Sequence, residues 1–347
     1  MSIGFSIYLG TDDDKNDAII QKAVAAKMTY AFTSLHIPEE KVTNYQKAIK
    51  NLLEKCRKNN IKLIADVSPH TLEKLACADY EDLLAMGFEY LRPDFGYSDS
   101  DIVALSQMFH LVLNASTTTI SQMKAWEDLG ADLTRFTACH NFYPKPLTGL
   151  SLKKVNDMNQ MFKRFGMMTM TFVAGDCVFR EPLFLGLPTV EDQRNHHVFK
   201  NILELMKDAA SDVVLIGDVD VTDGVYRRIK DYHEGFITLQ CHILDSHQNL
   251  LYNLHHDRPD ASEYVIRSQE SRFFHHKDQN ILKGDTLARQ KGAICISNEL
   301  YLRYEGELEI AKIDLPKDER VNVIGQVIEE DLIYLQYITD GMGFKLI

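Results

Sequence analysis

The chain of 347 residues lacks the short glycine-rich motifs that cradle nucleotides or carry a hydrolase serine. It contains no G-x-x-x-x-G-K-[ST], no G-x-G-x-x-G and no G-x-S-x-G. The first two motifs bind phosphates through backbone N–H groups, and the third holds the nucleophile of α/β-hydrolases. Nucleotide-driven chemistry and a serine hydrolase of that class therefore have no support.

Paired cysteines are also missing. The six cysteines lie far apart without a C-x-x-C pair, which suits free thiols in a reducing compartment better than a disulfide or zinc framework. Three histidine doublets do not suggest a metal site, because adjacent side chains point in different directions. We expect no metal and no other cofactor. These residues are Cys56, Cys77, Cys139, Cys177, Cys241 and Cys295, with His196-His197, His255-His256 and His275-His276.

The sequence has few positive charges and no apolar run of membrane-spanning length. It opens with MSIGFSIYLG and lacks the basic start of a signal peptide, so we expect a cytoplasmic protein. The 50 acidic residues outnumber the 38 basic ones, giving a net charge of -12. This charge opposes non-specific binding to nucleic acid or anionic lipid. The expected partner is a small molecule, and a homo-oligomer is left open.

Apolar, β-branched runs alternate with segments of helical period from Ile3 to about Tyr232. The alternation is typical of βα units around a parallel sheet, and eight units in about 230 residues favour a TIM barrel over an open sheet. We therefore predict an α/β fold, a (β/α)8 barrel, over residues 1–235. Its predicted strands are Ile3-Leu9, Tyr30-Leu35, Lys62-Val67, Tyr90-Phe95, Leu111-Asn114, Leu133-Ala138, Met168-Val173 and Val213-Val219.

Two helices and one long loop stand out between these strands. Apolar residues from Val42 to Cys56 predict an amphipathic helix that ends near Asn59. Thr189 and Asp192 have capping-box spacing and predict a helix that begins at Thr189 and includes Met206. The preceding segment, 175–188, is long enough to be an active-site loop.

Beyond Gly235 the apolar period changes to two, which predicts a small all-β domain over residues 236–347. Glycine, proline and acidic turns separate the runs, as in an antiparallel barrel or sandwich. The predicted strands begin around Ile237-Ile243 and continue with Ala293-Ser297, Leu300-Tyr304, Glu307-Ile313, Val321-Val327 and Leu332-Ile338.

Polar residues follow several barrel strands, at the end where TIM barrels place catalytic groups. Carboxylates there suit glycosidic cleavage, which needs a proton donor and a second carboxylate; helix capping or pairing with arginine is the alternative. The candidates are Asp94 and Asp176, then Asp66 and Asp218, with Asp220 and the loop residue Glu181 beside them. Candidate substrate-binding residues are His140, Asn141, Tyr143 and Lys145 after the sixth strand, and the arginines Arg92, Arg180 and Arg194 for an anionic group.

Seven segments together carry a family resemblance: RPDFG, ACHNFYPKPLTGLS, FVAGD, LGLPTVEDQR, VVLIGDVDV, YVIRSQESR and RYEGELEI. They resemble the bacterial 6-phospho-N-acetylmuramidases, formerly a domain of unknown function. The resemblance covers essentially the whole chain and implies a TIM barrel followed by a cyclophilin-like β domain. It also implies an intracellular glycosidase acting in cell-wall recycling on N-acetylmuramic acid 6-phosphate linked to N-acetylglucosamine. The acid/base pair does not come with the resemblance.

Two other functions fit such a fold. A sugar-phosphate isomerase or an aldolase-like enzyme is one, although an aldolase needs a buried Schiff-base lysine and only Lys145 follows a strand closely. A non-catalytic sugar-phosphate-binding protein is the other. Turnover of a sugar phosphate would separate the two classes.

Asp94 allows a test from sequence alone, because it lies two residues after Arg92 and shares its strand face. If Asp94 acts as acid, base or nucleophile, Asp94→Asn should lower turnover about 100-fold or more while the protein still folds. If Asp94 only balances Arg92, the folded variant should keep most of its activity and lose at most about 3 kcal/mol of stability. Thermal unfolding and turnover measured on the same sample distinguish the two roles.

Overall fold

The computed structural model describes residues 2–35, 45–93, 96–271 and 280–347. Asp94 and the doublet His275-His276 lie outside the described residues. The chain divides into two compact units, the first through Ile229 and the second from Lys230 onward. In the described ranges, no helix is both long and apolar enough to cross a membrane.

The first unit is a closed barrel of eight parallel strands in the order in which they occur along the chain. This confirms the TIM barrel predicted from the alternating pattern. The strands are β1 (Ser2–Ser6), β2 (Tyr30–Ser34), β3 (Lys62–Val67), β4 (Tyr90–Pro93), β5 (His110–Asn114), β6 (Phe136–Cys139), β7 (Met168–Val173) and β8 (Val213–Ile216).

Helices follow the strands and cover the outside of the barrel with their apolar faces. Several begin at a residue whose side chain accepts a backbone N–H, including Asp12 and the capping boxes of Ser98 and Thr119. The helices are α1 (Asp13–Ala25), α2 (Tyr45–Lys58), α3 (His70–Lys74), α4 (Tyr80–Met86), α5 (Asp99–Met108), α6 (Ile120–Asp128), α7 (Leu152–Lys163), α8 (Val198–Lys207) and α9 (Asp223–His233).

Alternate side chains of the strands fill the barrel interior with aromatic and aliphatic groups. Phe32 and Phe172 pack edge to face with ring centroids 5.3 Å apart. Phe142, just beyond β6, meets Phe172 at 5.2 Å in the same geometry and remains partly exposed. Phe142 therefore lies at the top of the core and contributes to the floor of the barrel mouth.

Several sequence-based boundaries in the barrel were wrong: the first strand ends at Ser6 rather than Leu9, and the eighth ends at Ile216 rather than Val219. At two other boundaries a side chain forms a hydrogen bond that the prediction did not anticipate. The predicted helix at Thr189 begins only at Val198, since the Thr189 hydroxyl accepts the Phe172 N–H (2.9 Å) and donates to the Asn141 carbonyl (3.0 Å). The sixth strand begins at Phe136 rather than Leu133. There the Asp132 carboxylate accepts the Thr134 N–H and closes a 3-10 turn.

The described residues of the second unit form two sheets. Five strands form an antiparallel sheet in the order β10-β15-β13-β14-β12, and three form a sheet in the order β11-β16-β9, with β9 parallel to β16. The strands are β9 (Phe236–Leu239), β10 (Cys241–Ile243), β11 (Leu254–His256), β12 (Val265–Arg267), β13 (Ala293–Ser297), β14 (Leu308–Ala311), β15 (Val321–Val327) and β16 (Gly343–Leu346).

Two predicted strands of this unit are 3-10 helices, over Glu299–Tyr304 and Glu329–Tyr337. In the first, the Asn298 side chain accepts the Leu300 N–H at 3.1 Å and turns the chain. In the second, the buried side chains do not alternate as they would in a strand: Tyr334, Leu335 and Tyr337 are all buried. In both segments the apolar pattern resembled that of a strand, and in the first the polar contact of Asn298 turned the chain instead.

A buried polar chain connects β6 to the helix layer. Cys139 faces the barrel interior, so the following residue, His140, faces outward. Its Nε2 lies 2.9 Å from Oδ1 of Asn159 on α7, and the Asn159 amide donates to the Ala209 carbonyl at 2.7 Å. Burial lowers the pKa of His140 from 6.5 to about 4.

This shift predicts a loss of stability in mild acid. The unfolded chain binds the imidazole proton more readily than the folded protein, so the contribution of His140 is fully present above pH 6.5 and decreases as the pH falls toward 4. We expect a loss of about 2 kcal/mol by pH 5 and about 3 kcal/mol by pH 4. Urea unfolding of the wild type and of His140→Gln between pH 7 and pH 4 measures it. Equal pH dependence in both proteins would contradict the assignment.

Candidate active site

A buried ion pair joins two neighbouring strands at the barrel mouth. Asp66 and Arg92 are register partners on β3 and β4, and Arg92 Nη1 donates to Asp66 Oδ1 at 2.8 Å. Arg92 Nη2 donates to the side-chain oxygen of Asn141 beyond β6. The guanidinium balances the charge of Asp66, whose side chain is only 10% exposed. Three residues predicted from separate motifs are thus in one hydrogen-bonded chain.

Asp218 lies just beyond β8 and is completely buried. One carboxylate oxygen accepts the N–H groups of Gly175 (2.8 Å) and Leu187 (3.0 Å), and the other accepts that of Arg180 (3.0 Å). Burial raises the pKa of Asp218, an effect that these three hydrogen bonds oppose. Both oxygens are therefore engaged with the backbone of the loop that follows β7.

Asp176, on the same loop, is exposed and contacts the start of α9. Its oxygens accept the Thr222 N–H at 2.8 Å and the Thr222 hydroxyl at 3.0 Å. Asp220 accepts the Tyr226 hydroxyl at 2.9 Å and lies 3.5 Å from the Lys22 ammonium. Asp176 thus bonds at the start of a helix, Asp220 pairs with a lysine and a tyrosine rather than an arginine, and Glu181 is exposed on the loop.

The loop after β6 provides fewer groups to the mouth than its composition suggested. His140 points to α7, away from the interior, and Lys145 is exposed. Asn141 contacts Arg92, as described above. The Tyr143 hydroxyl lies 3.3 Å from the hydroxyl of Ser116, which follows β5. Asn141 and Tyr143 are therefore the members of this loop with polar contacts to neighbouring strand ends.

The three predicted arginines differ in how many of their guanidinium donors bind other groups of the protein. Arg92 holds Asp66 and Asn141. Arg194 is buried and pairs with Glu191 at 2.7 Å, and this contact lowers the pKa of Glu191 to about 2. Arg194 also donates to the carbonyls of four mouth-loop residues: Tyr143, Lys145, Leu185 and Gly186. Its donors thus bind the loops after β6 and β7 to each other.

Arg180 has a different environment. Its guanidinium carbon lies 4.6 Å from the ring centroid of Tyr8, beyond β1, and 5.5 Å from that of Phe142. Within the described ranges it forms no ion pair with a carboxylate, and the residue is only partly buried. Tyr8 is held by its hydroxyl, which donates to the Gly217 carbonyl. Arg180 is therefore a fixed cation on an aromatic platform at the mouth.

Sequence reasoning missed the two aromatic residues of this platform. Tyr8 lies in the segment IYLG, and its even spacing from Gly4 and Ser6 was the available signal for an inward side chain. Phe142 stands between two residues that were singled out, Asn141 and Tyr143. Its apolar side chain gave no reason to separate it from the core.

A metal-binding arrangement was not expected from the sequence. Among the residues that the structure describes, no group of three histidine, cysteine, aspartate or glutamate side chains is arranged to hold a metal ion. The described cysteines are all free thiols. The polar groups of the mouth are thus carboxylates, arginines, amides and hydroxyls.

Comparison with known proteins identifies the family. Two solved structures are similar over the whole chain: a conserved Enterococcus faecalis protein of unknown function (32% identity, TM-score 0.83, 100% of this chain and 96% of that one) and an uncharacterized B. cereus protein (25%, 0.76, 100% and 99%). No functionally curated protein matches. Family models for the N-terminal and C-terminal parts of 6-phospho-N-acetylmuramidase match residues 3–231 and 237–347. The chain belongs to the 6-phospho-N-acetylmuramidase family, as its resemblance predicted.

Proposed function

We propose that this protein is an intracellular glycosidase of cell-wall recycling, which hydrolyses the bond between N-acetylmuramic acid 6-phosphate and N-acetylglucosamine. The observation that carries the proposal is the match of both family models, which together span nearly the whole chain. The barrel mouth supports the proposal independently, because it contains both a carboxylate, Asp66, and a cation held over aromatic rings, Arg180. The substrate class is a phosphorylated amino-sugar disaccharide.

Arg180 is the proposed phosphate-binding residue. A guanidinium forms strong, charge-assisted hydrogen bonds to phosphate oxygens. Arg92 and Arg194 already use their donors on Asp66, Asn141, Glu191 and loop carbonyls. The Arg180 guanidinium instead lies over the rings of Tyr8 and Phe142 and shares a hydrogen bond with the Tyr8 hydroxyl. The face of Tyr8 limits where the guanidinium moves, so little side-chain freedom is lost on binding.

Asp94 and Asp66 are the proposed catalytic carboxylates. Glycosidic cleavage requires one group to protonate the leaving oxygen and another to attack the anomeric carbon or activate water. Asp66 lies at the end of β3, with its charge balanced by Arg92. Asp94 follows Arg92 by two residues in the sequence. Asp176 comes next because it is exposed, although it bonds to Thr222.

The C-terminal unit is proposed to be the cyclophilin-like domain that the family resemblance implied. Its support is an all-β architecture with a five-stranded antiparallel sheet. We do not propose prolyl isomerisation for it, since a fold alone does not confer an activity.

The phosphate requirement gives a direct test of the proposed function. The wild type should cleave the phosphorylated disaccharide much faster than its unphosphorylated twin, and Arg180→Gln should reduce kcat/KM for the phosphorylated substrate by about 10- to 100-fold. The same variant should have little effect on the unphosphorylated substrate. Mass analysis of the products over time measures both rates.

Arg164→Gln is a suitable control, because Arg164 is an exposed arginine at the end of α7. It should retain wild-type kinetics. Failure of the wild type to cleave either disaccharide would refute the proposed activity. Equal cleavage of both by the wild type would refute the phosphate site, as would an equal loss on both in Arg180→Gln.

A further inference from the structure

We propose that Asp218 is a positioning residue: it fixes the backbone of residues 175–187 and thereby holds Arg180 at the mouth. The role of Arg180 as a phosphate ligand rests on the proposed function, whereas the fixing of the loop does not. Asp218 is one of the carboxylates that the sequence predicts as catalytic candidates. Its contacts assign it to the support of the site instead.

The three hydrogen bonds of Asp218 are spread along the loop after β7. Gly175 lies at the beginning of the loop, Arg180 near its middle and Leu187 at its end, and Asp218 accepts an N–H from each within 3.0 Å. A carboxylate that accepts several backbone N–H groups forms strong, charge-assisted hydrogen bonds, which restrain both the carboxylate and the backbone. One side chain thus brings together three points that are up to 12 residues apart in the chain.

The backbone of the loop approaches Asp218 closely. A Cβ added to Gly175 would lie 3.0 Å from the Asp218 Cβ and 2.7 Å from the Asp220 carbonyl oxygen. Gly186 has a φ of +82°, and an added Cβ there would lie 3.0 Å from the Ala174 Cβ. Glycine at these two positions allows the backbone to wrap tightly around Asp218.

Contacts with other residues also fix the backbone of this loop. Arg194 donates to the carbonyls of Leu185 (3.2 Å) and Gly186 (2.9 Å), close to the N–H of Leu187 that Asp218 holds. Val178 forms an antiparallel bridge with Asp220. The backbone is therefore fixed on both sides of Arg180. A fixed backbone also fixes the direction of the Cα–Cβ bond along which the Arg180 side chain leaves the loop.

Direct catalysis by Asp218 conflicts with this arrangement. An acid or base must reach the glycosidic oxygen or a water molecule, whereas Asp218 has no exposed surface. Its two oxygens already accept three hydrogen bonds. A change at Asp218 should therefore act through Arg180 on binding rather than on the chemical step.

Asp218→Asn tests the inference, because it keeps the shape but replaces one acceptor oxygen with an NH2 group facing backbone donors. We expect KM for the phosphorylated disaccharide to rise about 10-fold or more with a much smaller change in kcat, since a charge-assisted bond would be lost. The preference for the phosphorylated substrate should decrease correspondingly. Amide hydrogen exchange within residues 175–187 should become faster in the substrate-free protein.

Asp212→Asn is the matched control at the opposite end of the same strands. The Asp212 carboxylate accepts the Thr169 N–H at 3.0 Å, next to the first residue of β7, and pairs with Lys163 at 2.8 Å. Its loss removes a comparable carboxylate contact from the barrel. It should leave both KM and hydrogen exchange in residues 175–187 unchanged.

Gly175→Ala provides a second variant in case Asp218→Asn does not fold. It retains the carboxylate but displaces the Gly175 N–H, so it should produce the same rise in KM and the same faster exchange.

A collapse of kcat on both disaccharides in Asp218→Asn, with exchange unchanged, would overturn the inference in favour of a catalytic role. If the wild type cleaves neither disaccharide, the proposed function fails and hydrogen exchange alone decides: faster exchange supports the fixing of the loop, and unchanged exchange refutes it.

Discussion

Closure of the parallel hydrogen-bond ladder is the constraint on which the rest of this structure depends. Each strand of the barrel pairs with two neighbours, β1 with β8 included, so all eight carboxyl ends meet at one rim. Strand pairing alone therefore brings together residues that are far apart in the sequence. The Asp66–Arg92 pair is such a case, since the two residues are register partners on adjacent strands.

The packing of the barrel interior closes the space below this rim. Phe32, Phe142 and Phe172 close the top of the core in edge-to-face contacts, so the mouth has an aromatic floor. Electrostatic contacts above such a floor are less screened than contacts in open solvent. The stacking of Arg180 on Tyr8 and Phe142 uses the same surface from its polar side.

Sequence periodicity predicted the barrel well because strand and helix periods reflect burial, which is a property of whole segments. It predicted individual roles less completely. Thr189 had the spacing of a helix cap yet bonds across the loops after β6 and β7, and His140 faces α7 rather than the mouth. In both cases the hydrogen-bond partner is distant in the sequence, and it determines the role of the side chain. The same holds for Asp218, whose three N–H donors lie 31 to 43 residues away in the chain.

The loop after β7 is held by contacts to its backbone, and this has a consequence for how its sequence can vary. Asp218 binds N–H groups and Arg194 binds carbonyl groups, which almost every amino acid supplies. The side chains of Leu183, Phe184 and Leu185 are between 45% and 54% exposed. Related chains can therefore exchange these side chains, and so alter the exposed surface of the loop, while the Arg180 guanidinium keeps its position.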